Sequence, residues 1–223
     1  MFKKIRLKYH ERMAFNAFVK SDFETAIQHF KKISAIAPEK TGIDFNSAIC
    51  FISLRRYEDA EEFLQKELKC GAPGLPLLQA LAENAFLRND QKEALTRYEK
   101  ILEEDLPEKI RKLTELKIEI MTNDKAFKNA QESRKFMDKG DLLLAQGDAE
   151  KARKKYIKVT KLDPTCFQAH NNLGVIAMNH FNDYKLALIH FEKADELNDI
   201  PAVQMNIHKL NEAILKEQNN ADD

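Results

Sequence analysis

Histidine is the side chain best suited to binding metal ions or transferring protons near neutral pH, and six histidines occur in this 223-residue chain. Four of them, His170, His180, His190 and His208, lie in its last third. A metal site on one helix needs two histidines about four residues apart, whereas neighbouring members of this group are at least ten residues apart. The spacing therefore predicts no metal site, and partly exposed helix histidines are expected instead.

Cysteine and glycine motifs that carry chemistry are absent from the sequence. The cysteines Cys50, Cys70 and Cys166 lie far apart without a C-x-x-C pair, which argues against a disulfide framework and a structural zinc site. The six glycines form no phosphate-binding loop, dinucleotide-binding motif or nucleophile elbow. We expect no catalytic residue, no metal and no cofactor, so the chain is predicted not to be an enzyme.

A lysine-rich stretch is the remaining candidate for ligand chemistry, because cations along one helix face can bind phosphates. It comprises Lys151, Arg153, Lys154, Lys155, Lys158 and Lys161. Only Tyr156 is interleaved with them as an aromatic residue that could stack on bases, and the chain balances 36 basic against 36 acidic residues. A solvated helix face is expected, and binding of nucleic acid or an anionic membrane here is the weakest alternative.

The elements that would position any site are arranged in repeats. Alanines recur with spacings of 34 residues in the first part of the chain, and a small residue lies twelve or thirteen positions before each of them. The pairs are Ala14 with Ala26, Ala48 with Ala60, Ala82 with Ala94, Gly140 with Ala152 and Gly174 with Ala187. Two helices approach to about 8–10 Å only where both carry small side chains. The pattern therefore predicts an all-α chain of antiparallel helix pairs.

Turn residues separate the helices of each pair. Ser21 to Glu24, read as "SDFE", is predicted to be a capping box, and Asn89-Asp90, Gly147-Asp148 and Asn182-Asp183 supply further N-cap oxygens. The six prolines fall between pairs, where they interrupt no predicted helix. No stretch approaches the roughly 18 apolar residues of a membrane span, and the basic start lacks the apolar segment of a secretory signal. We expect a cytoplasmic protein.

Helical hairpins of 34 residues with these small-residue columns resemble the tetratricopeptide repeat. The matches cover three repeats at 7–40, 41–74 and 75–108 and two at 133–166 and 167–200. The resemblance implies an α-solenoid that winds as a right-handed superhelix. Two departures occur: the family's tryptophan is replaced by His10, Asp44, Leu78, Phe136 and His170, and Glu67 stands at an apolar position. Both are expected to soften individual repeats.

Segments outside the repeats complete the predicted domain organisation. The insert at 109–132 is predicted to be a helical spacer, comprising one extra helix followed by an elongated first helix of the fourth repeat. Residues 201–216 carry apolar side chains on one side, which suits a C-terminal capping helix over the last repeat. The tail at 217–223 is expected to be disordered.

The resemblance also implies a binding groove, because the first helices of such repeats line the concave face. The residues at those positions are Phe15, Phe18, Val19, Phe45, Asn46, Ile49, Ile52, Phe86, Leu87, Met137, Leu144, Asn172, Val175 and Met178. Asn46 and Asn172 occupy the position where family members often hydrogen-bond the backbone of a bound peptide. Two alternatives stay open: these residues pack within the solenoid, or the spacer helix or a second copy covers them.

The predicted function is therefore that of an adaptor that holds a peptide or a helix of a partner protein in this groove. Some family members clamp a chaperone's acidic C-terminus with cations, but the matching positions here are Glu11, Phe15, Asn46, Pro76 and Ala80, so that clamp is absent. The alternative is a scaffold that self-associates as a homo-oligomer, for which the acidic stretch Glu58–Glu67 and the lysine-rich helix offer opposite charges.

Overall fold

A computed structural model describes residues 2–71, 73–198 and 201–221, with side chains described up to residue 216. This part of the chain contains twelve α-helices and no β-strand. It divides into two compact units, residues 1–104 and 105–223. The first unit holds α1 (Phe2–Val19), α2 (Phe23–Ile36), α3 (Ile43–Ser53), α4 (Tyr57–Leu68), α5 (Leu75–Leu87) and α6 (Gln91–Leu102).

The first unit is a stack of three helix pairs. α1 pairs with α2, α3 with α4 and α5 with α6, while α2 packs on α3 and α4 on α5. All the small residues predicted at the crossings are fully buried: Ala14, Ala26, Ala48, Ala60, Ala82 and Ala94. Phe30, Leu64 and Tyr98, one turn further along, are buried beside them. The predicted solenoid of antiparallel helix pairs is confirmed.

The second unit contains α7 (Glu108–Thr122), α8 (Asp124–Ala145), α9 (Ala149–Leu162), α10 (Phe167–Phe181), α11 (Tyr184–Leu197) and α12 (Pro201–Ala221). α8 pairs with α9 and α10 with α11, and α12 packs on α11. The predicted spacer forms α7 and the first turns of the long α8, which begins where the Asn123 side chain accepts a hydrogen bond from Ala126 N at 3.0 Å. α12 extends five residues beyond the predicted capping helix, and residues 222–223 of the predicted tail lie outside the described residues.

In most pairs, the second helix is preceded by a residue in the left-handed backbone conformation and then by an aspartate that caps the helix. Asp22, Asp90, Asp148 and Asp183 each accept a hydrogen bond from the backbone amide three residues later. The predicted capping box at Ser21 is wrong, because Ser21 adopts φ 59° and Asp22 is the cap. Because Ser21 takes part in the turn, the side chain that caps α2 belongs to the next residue, Asp22. α4 departs from the pattern, since Arg56 occupies its N-cap without a side-chain hydrogen bond.

Within the described residues, no helix combines the length and the apolar character that crossing a lipid bilayer requires.

Candidate protein-interaction surface

The predicted groove of the first unit retains two strongly exposed apolar residues. Phe15 is 67% exposed and Val19 is 65% exposed, one turn apart on α1. Phe18 lies next to them, half-buried against Phe23 with ring centroids 5.8 Å apart. Their exposure follows from the packing, because the face of α1 that carries Ala14 and Ala17 is the one buried in the unit.

The apolar groove residues predicted on α3 are more deeply buried than Phe15 and Val19. Phe45, Ile49 and Ile52 are half-buried and pack on the same hydrophobic cluster as Phe18. On α5, Leu87 is half-buried, but Phe86 is only 2% exposed. The prediction that Phe86 lines the groove is therefore corrected, since its ring belongs to the core of the unit.

Asn46 is exposed at the start of α3, and its side-chain amide donates to Gly42 O at 2.7 Å. The carboxylate of Glu67 accepts from Gly42 N at 2.7 Å and from Phe45 N at 3.2 Å. It thus satisfies amides that a helix N-terminus leaves unpaired. Glu67 therefore has a structural role here, because its carboxylate fixes the start of α3, and the expected softening of this repeat stays a prediction. Burial and the negative charge of Glu67 raise the pKa of Asp44 nearby.

The predicted groove of the second unit is partly covered by its own C-terminal helix. Val175 and Met178 of α10 pack in one cluster with Ile207 and Ile214 of α12. The Asn206 amide donates to Asn171 Oδ1 at 2.8 Å, which holds α12 beside α10. The helix that covers this groove is thus α12, not the spacer.

The other groove positions of the second unit serve its own packing. Met137 and Leu144 are half-buried in the α8–α10 cluster. Asn172 approaches Asp141 with an Nδ2–Oδ1 distance of 3.5 Å, and the Tyr156 hydroxyl donates to the same oxygen at 2.8 Å. Of the two sets of predicted groove positions, that of the first unit therefore keeps the more exposed apolar side chains.

The lysine-rich helix α9 is engaged locally. Lys151 and Lys154 form ion pairs with Asp148 at 2.7 Å and Glu150 at 3.4 Å. The Lys158 ammonium lies 3.8 Å from the centre of the Phe136 ring, and the Arg153 guanidinium stacks on another aromatic ring. These contacts agree with the expectation of a solvated helix face.

A buried polar network joins the second and third helix pairs. Arg97 Nη1 donates to Glu61 Oε2 at 3.0 Å and to Leu81 O at 2.6 Å, and Asn84 Nδ2 donates to Glu61 Oε2 at 2.9 Å. Burial alone raises the pKa of Glu61, but hydrogen bonds from Arg97, Gln65 and Asn84 outweigh it and lower the pKa to about 2. Sequence reasoning missed this network, because its members lie up to 36 residues apart.

Two histidine pairs occupy equivalent places in the first and last hairpins. The Nδ1 atoms of His10 and His29 lie 2.9 Å apart, and those of His170 and His190 lie 3.3 Å apart. One ring of each pair can donate to the other only while the accepting ring is neutral, so the hydrogen bond is lost when both are protonated. Burial, and then the neighbouring His190, lowers the pKa of His170 to about 4, and burial lowers that of His190. Among the described residues, no three side chains of the types that bind metals converge.

The lowered pKa values of His170 and His190 predict that the protein loses stability in mild acid. A folded-state pKa below the unfolded value means that the neutral pair stabilises the protein above pH 6.5, and this contribution is lost as the pH falls toward about 4. Lys193 also lowers the pKa of His170, while Glu196 raises it. We expect a loss of about 1 kcal/mol between pH 7.5 and 5, after allowing for partial exposure.

Urea unfolding of the full chain at both pH values measures this effect. His190→Leu removes one of the two histidines whose pKa is lowered by burial, so the stability of this variant should depend less on pH than that of the wild type. An exposed histidine, His208, supplies the matched control as His208→Leu. An equal pH dependence in wild type and His190→Leu would show that the pair does not titrate with folding.

Comparison with known proteins supports the repeat assignment. Two family models, both described as tetratricopeptide repeat, match residues 20–85 and 137–199. Among solved structures, the TPR2AB domain of yeast Sti1 in its pHSP90 complex is 17% identical over 93% of this chain and 84% of that chain, with a TM-score of 0.47. YrrB, a TPR protein with an unusual peptide-binding site, is 17% identical over 88% of both chains, with a TM-score of 0.43. The MamA protein is 16% identical over 86% of this chain and 91% of that chain, with a TM-score of 0.42.

Proposed function

Because this chain belongs to the tetratricopeptide repeat family, whose members are generally non-enzymatic interaction modules, we propose that it is a cytoplasmic adaptor. In this proposal it has no catalytic role and binds a peptide or a helix of a partner protein. The binding surface is the apolar groove of the first unit, formed by α1, α3 and the end of α5.

The exposure of Phe15 and Val19 carries this proposal. Large apolar side chains on one face are costly to leave in water, and such faces often mark interaction sites. Phe45 and Ile49, half-buried on α3, extend the apolar character beyond one helix. The matching surface of the partner is therefore apolar as well, and an amphipathic helix or an extended segment with alternating apolar residues fits it.

Polar groups at the groove set the orientation of the bound segment. The Asn46 amide is held by Gly42 O, so its carbonyl oxygen is available to accept from a peptide backbone. Glu11 pairs with Lys40 at 2.9 Å. A partner carboxylate would meet Glu11 here instead of a clamp of cations, so we propose that the partner binds through an internal segment and not through its acidic C-terminus.

The double substitution Phe15→Ser and Val19→Ser tests the groove. Burying one such side chain against a partner contributes about 1.5–3 kcal/mol, so partner recovery should fall more than tenfold. Folding should change little, because exposed positions typically alter stability by about 0.5 kcal/mol or less. The measurement is quantitative affinity purification from native cells, followed by titration of the identified segment.

Ile189→Ser is the matched control, since Ile189 is 53% exposed on α11 in the second unit. Unchanged recovery with the Phe15 and Val19 variant would reject the groove. Light scattering distinguishes the adaptor from the alternative, a self-associating scaffold. If the molar mass rises with concentration in the wild type but not in the Phe15 and Val19 variant, the groove binds a second copy of the chain.

A further inference from the structure

An apolar stripe lies at the other end of α1, away from Phe15 and Val19. Phe2 is 84% exposed, Ile5 is 57% exposed and Tyr9 is 56% exposed. At 100° per residue these three positions share one helix face about two turns long. Leu7, on the opposite side, packs on the hydrophobic cluster of the first unit, so Phe2 and Ile5 point away from the core. Tyr9 lies at the boundary, with its ring edge-on to that of His29 at a centroid distance of 6.3 Å.

Cations surround the stripe. Lys3, Lys4, Arg6 and Lys8 are all exposed, with Arg6 on one side of the stripe and Lys4 and Lys8 on the other. Residues 2–10 contain no acidic residue, and among the described residues none of these four cations forms an ion pair. The zero net charge of the whole chain thus conceals a local concentration of positive charge.

We propose that this face of α1, Phe2, Ile5 and Tyr9 with their flanking cations, binds the surface of an anionic lipid bilayer. The charge of the face favours this ligand, because all the flanking side chains are positive and the lipids of the cytoplasmic leaflet carry a net negative charge. Area favours a bilayer over a stable protein interface. At the exposed fractions given above, three side chains of about 150–250 Å² each present roughly 500 Å² of apolar surface, whereas each side of a specific protein complex contributes roughly 800 Å².

The two components of the face have complementary roles at a bilayer. Phe2 and Ile5 insert among the upper acyl chains, and Tyr9 lies at the level of the headgroups with its hydroxyl in water. The aliphatic stems of Lys4 and Lys8 lie along the apolar boundary while their ammonium groups reach lipid phosphates and carboxylates. Stable attachment needs both components, because a single apolar or electrostatic signal binds weakly. The inference does not rest on the groove.

Flotation of the full chain with vesicles tests the proposal. The wild type should float with phosphatidylcholine vesicles that contain roughly 30% phosphatidylserine, and should remain unbound with phosphatidylcholine alone. Each cation near an anionic surface raises partitioning about fivefold. Lys4→Glu with Lys8→Glu should therefore lower it more than twenty-fold, and Phe2→Ser with Ile5→Ser should lower it more than tenfold. Raising the salt from about 0.05 M to about 0.5 M should release the protein.

Matched controls separate a defined face from general attraction. Lys154→Glu with Lys161→Glu changes two exposed lysines of α9 by the same charge, and Phe15→Ser with Val19→Ser removes apolar groups from the same helix. Both variants should bind vesicles as the wild type does. Equal loss in the α9 variant, or no preference of the wild type for phosphatidylserine, overturns the proposal. Binding to an acidic amphipathic peptide without binding to vesicles overturns it in favour of a protein partner.

Discussion

An Arg97→Ala variant is expected to lose about 3 kcal/mol of the free energy of unfolding, the largest effect of any single substitution considered for this protein. The Arg97 guanidinium binds Glu61 on α4, Leu81 O on α5 and Glu93 on its own helix. The Arg97 and Glu61 side chains are only 14% and 16% exposed. Removing the arginine therefore leaves a largely buried carboxylate without its principal partner. The hydrogen bonds from Asn84 and Gln65 and the longer contact to Arg88 at 3.4 Å remain, but they do not replace the two-point pairing with Arg97.

Chemical denaturation of the full chain at pH 7 measures this loss. Arg12→Ala, at an exposed position on α1, is the control and should change stability by about 0.5 kcal/mol or less. The double variant Glu61→Gln with Arg97→Ala should be more stable than Arg97→Ala alone, because it carries no unpaired charge. If the double variant is less stable than the single one, the loss comes from packing and not from the uncompensated carboxylate.

The same network predicts how stability depends on pH. Glu61 has a pKa of about 2 in the folded protein, below its ordinary value of 4.5. Its ion pair therefore stabilises the protein above pH 4.5, and that stabilisation is lost as the pH falls toward 2. In Arg97→Ala the pKa of Glu61 rises, so the difference in stability between variant and wild type should shrink in acid.

A Gly174→Ala variant is expected to lose about 1–3 kcal/mol, although alanine is the better helix former. Gly174 lies inside α10, where helix propensity alone favours alanine by about 1 kcal/mol. A Cβ at this position would lie 2.5 Å from Phe191 Cε1 and 2.6 Å from Cδ1. Phe191 is fully buried, so its ring has no solvent side into which it can move. The steric overlap therefore outweighs the gain in propensity.

A double-mutant cycle isolates this contact. In a Phe191→Leu background the smaller side chain leaves room for the methyl group, so Gly174→Ala should become neutral or stabilising by up to about 1 kcal/mol. Gly71→Ala is the control, because no heavy atom lies within 4 Å of the position of its Cβ. Stabilisation by Gly174→Ala in the wild-type background would contradict the close approach of α10 and α11.

Parts of the candidate surface could be predicted from sequence, and parts could not. Phe15 and Phe86 both fall at groove positions of their repeats, yet one is two-thirds exposed and the other is buried. Position within a repeat sets the face of a helix, but the helices packed around it set how deeply that face is covered. α1 packs mainly on α2, whereas α5 packs on α3, α4 and α6. Glu67 shows the same limit, since its capping role depends on amides 22 and 25 residues earlier in the chain.

The sequence by itself determined the fold of this protein. Close helix crossings require small side chains at regular intervals along the chain. This requirement is visible in one sequence, at Ala26, Ala60 and Ala94 and at the small residues twelve positions before each of them. The tertiary structure alone decided which of the predicted groove residues stay exposed, that Arg97 pairs with Glu61, and that His170 meets His190. Such contacts depend on the lengths and rotamers of side chains brought together by packing, and no periodic pattern encodes them.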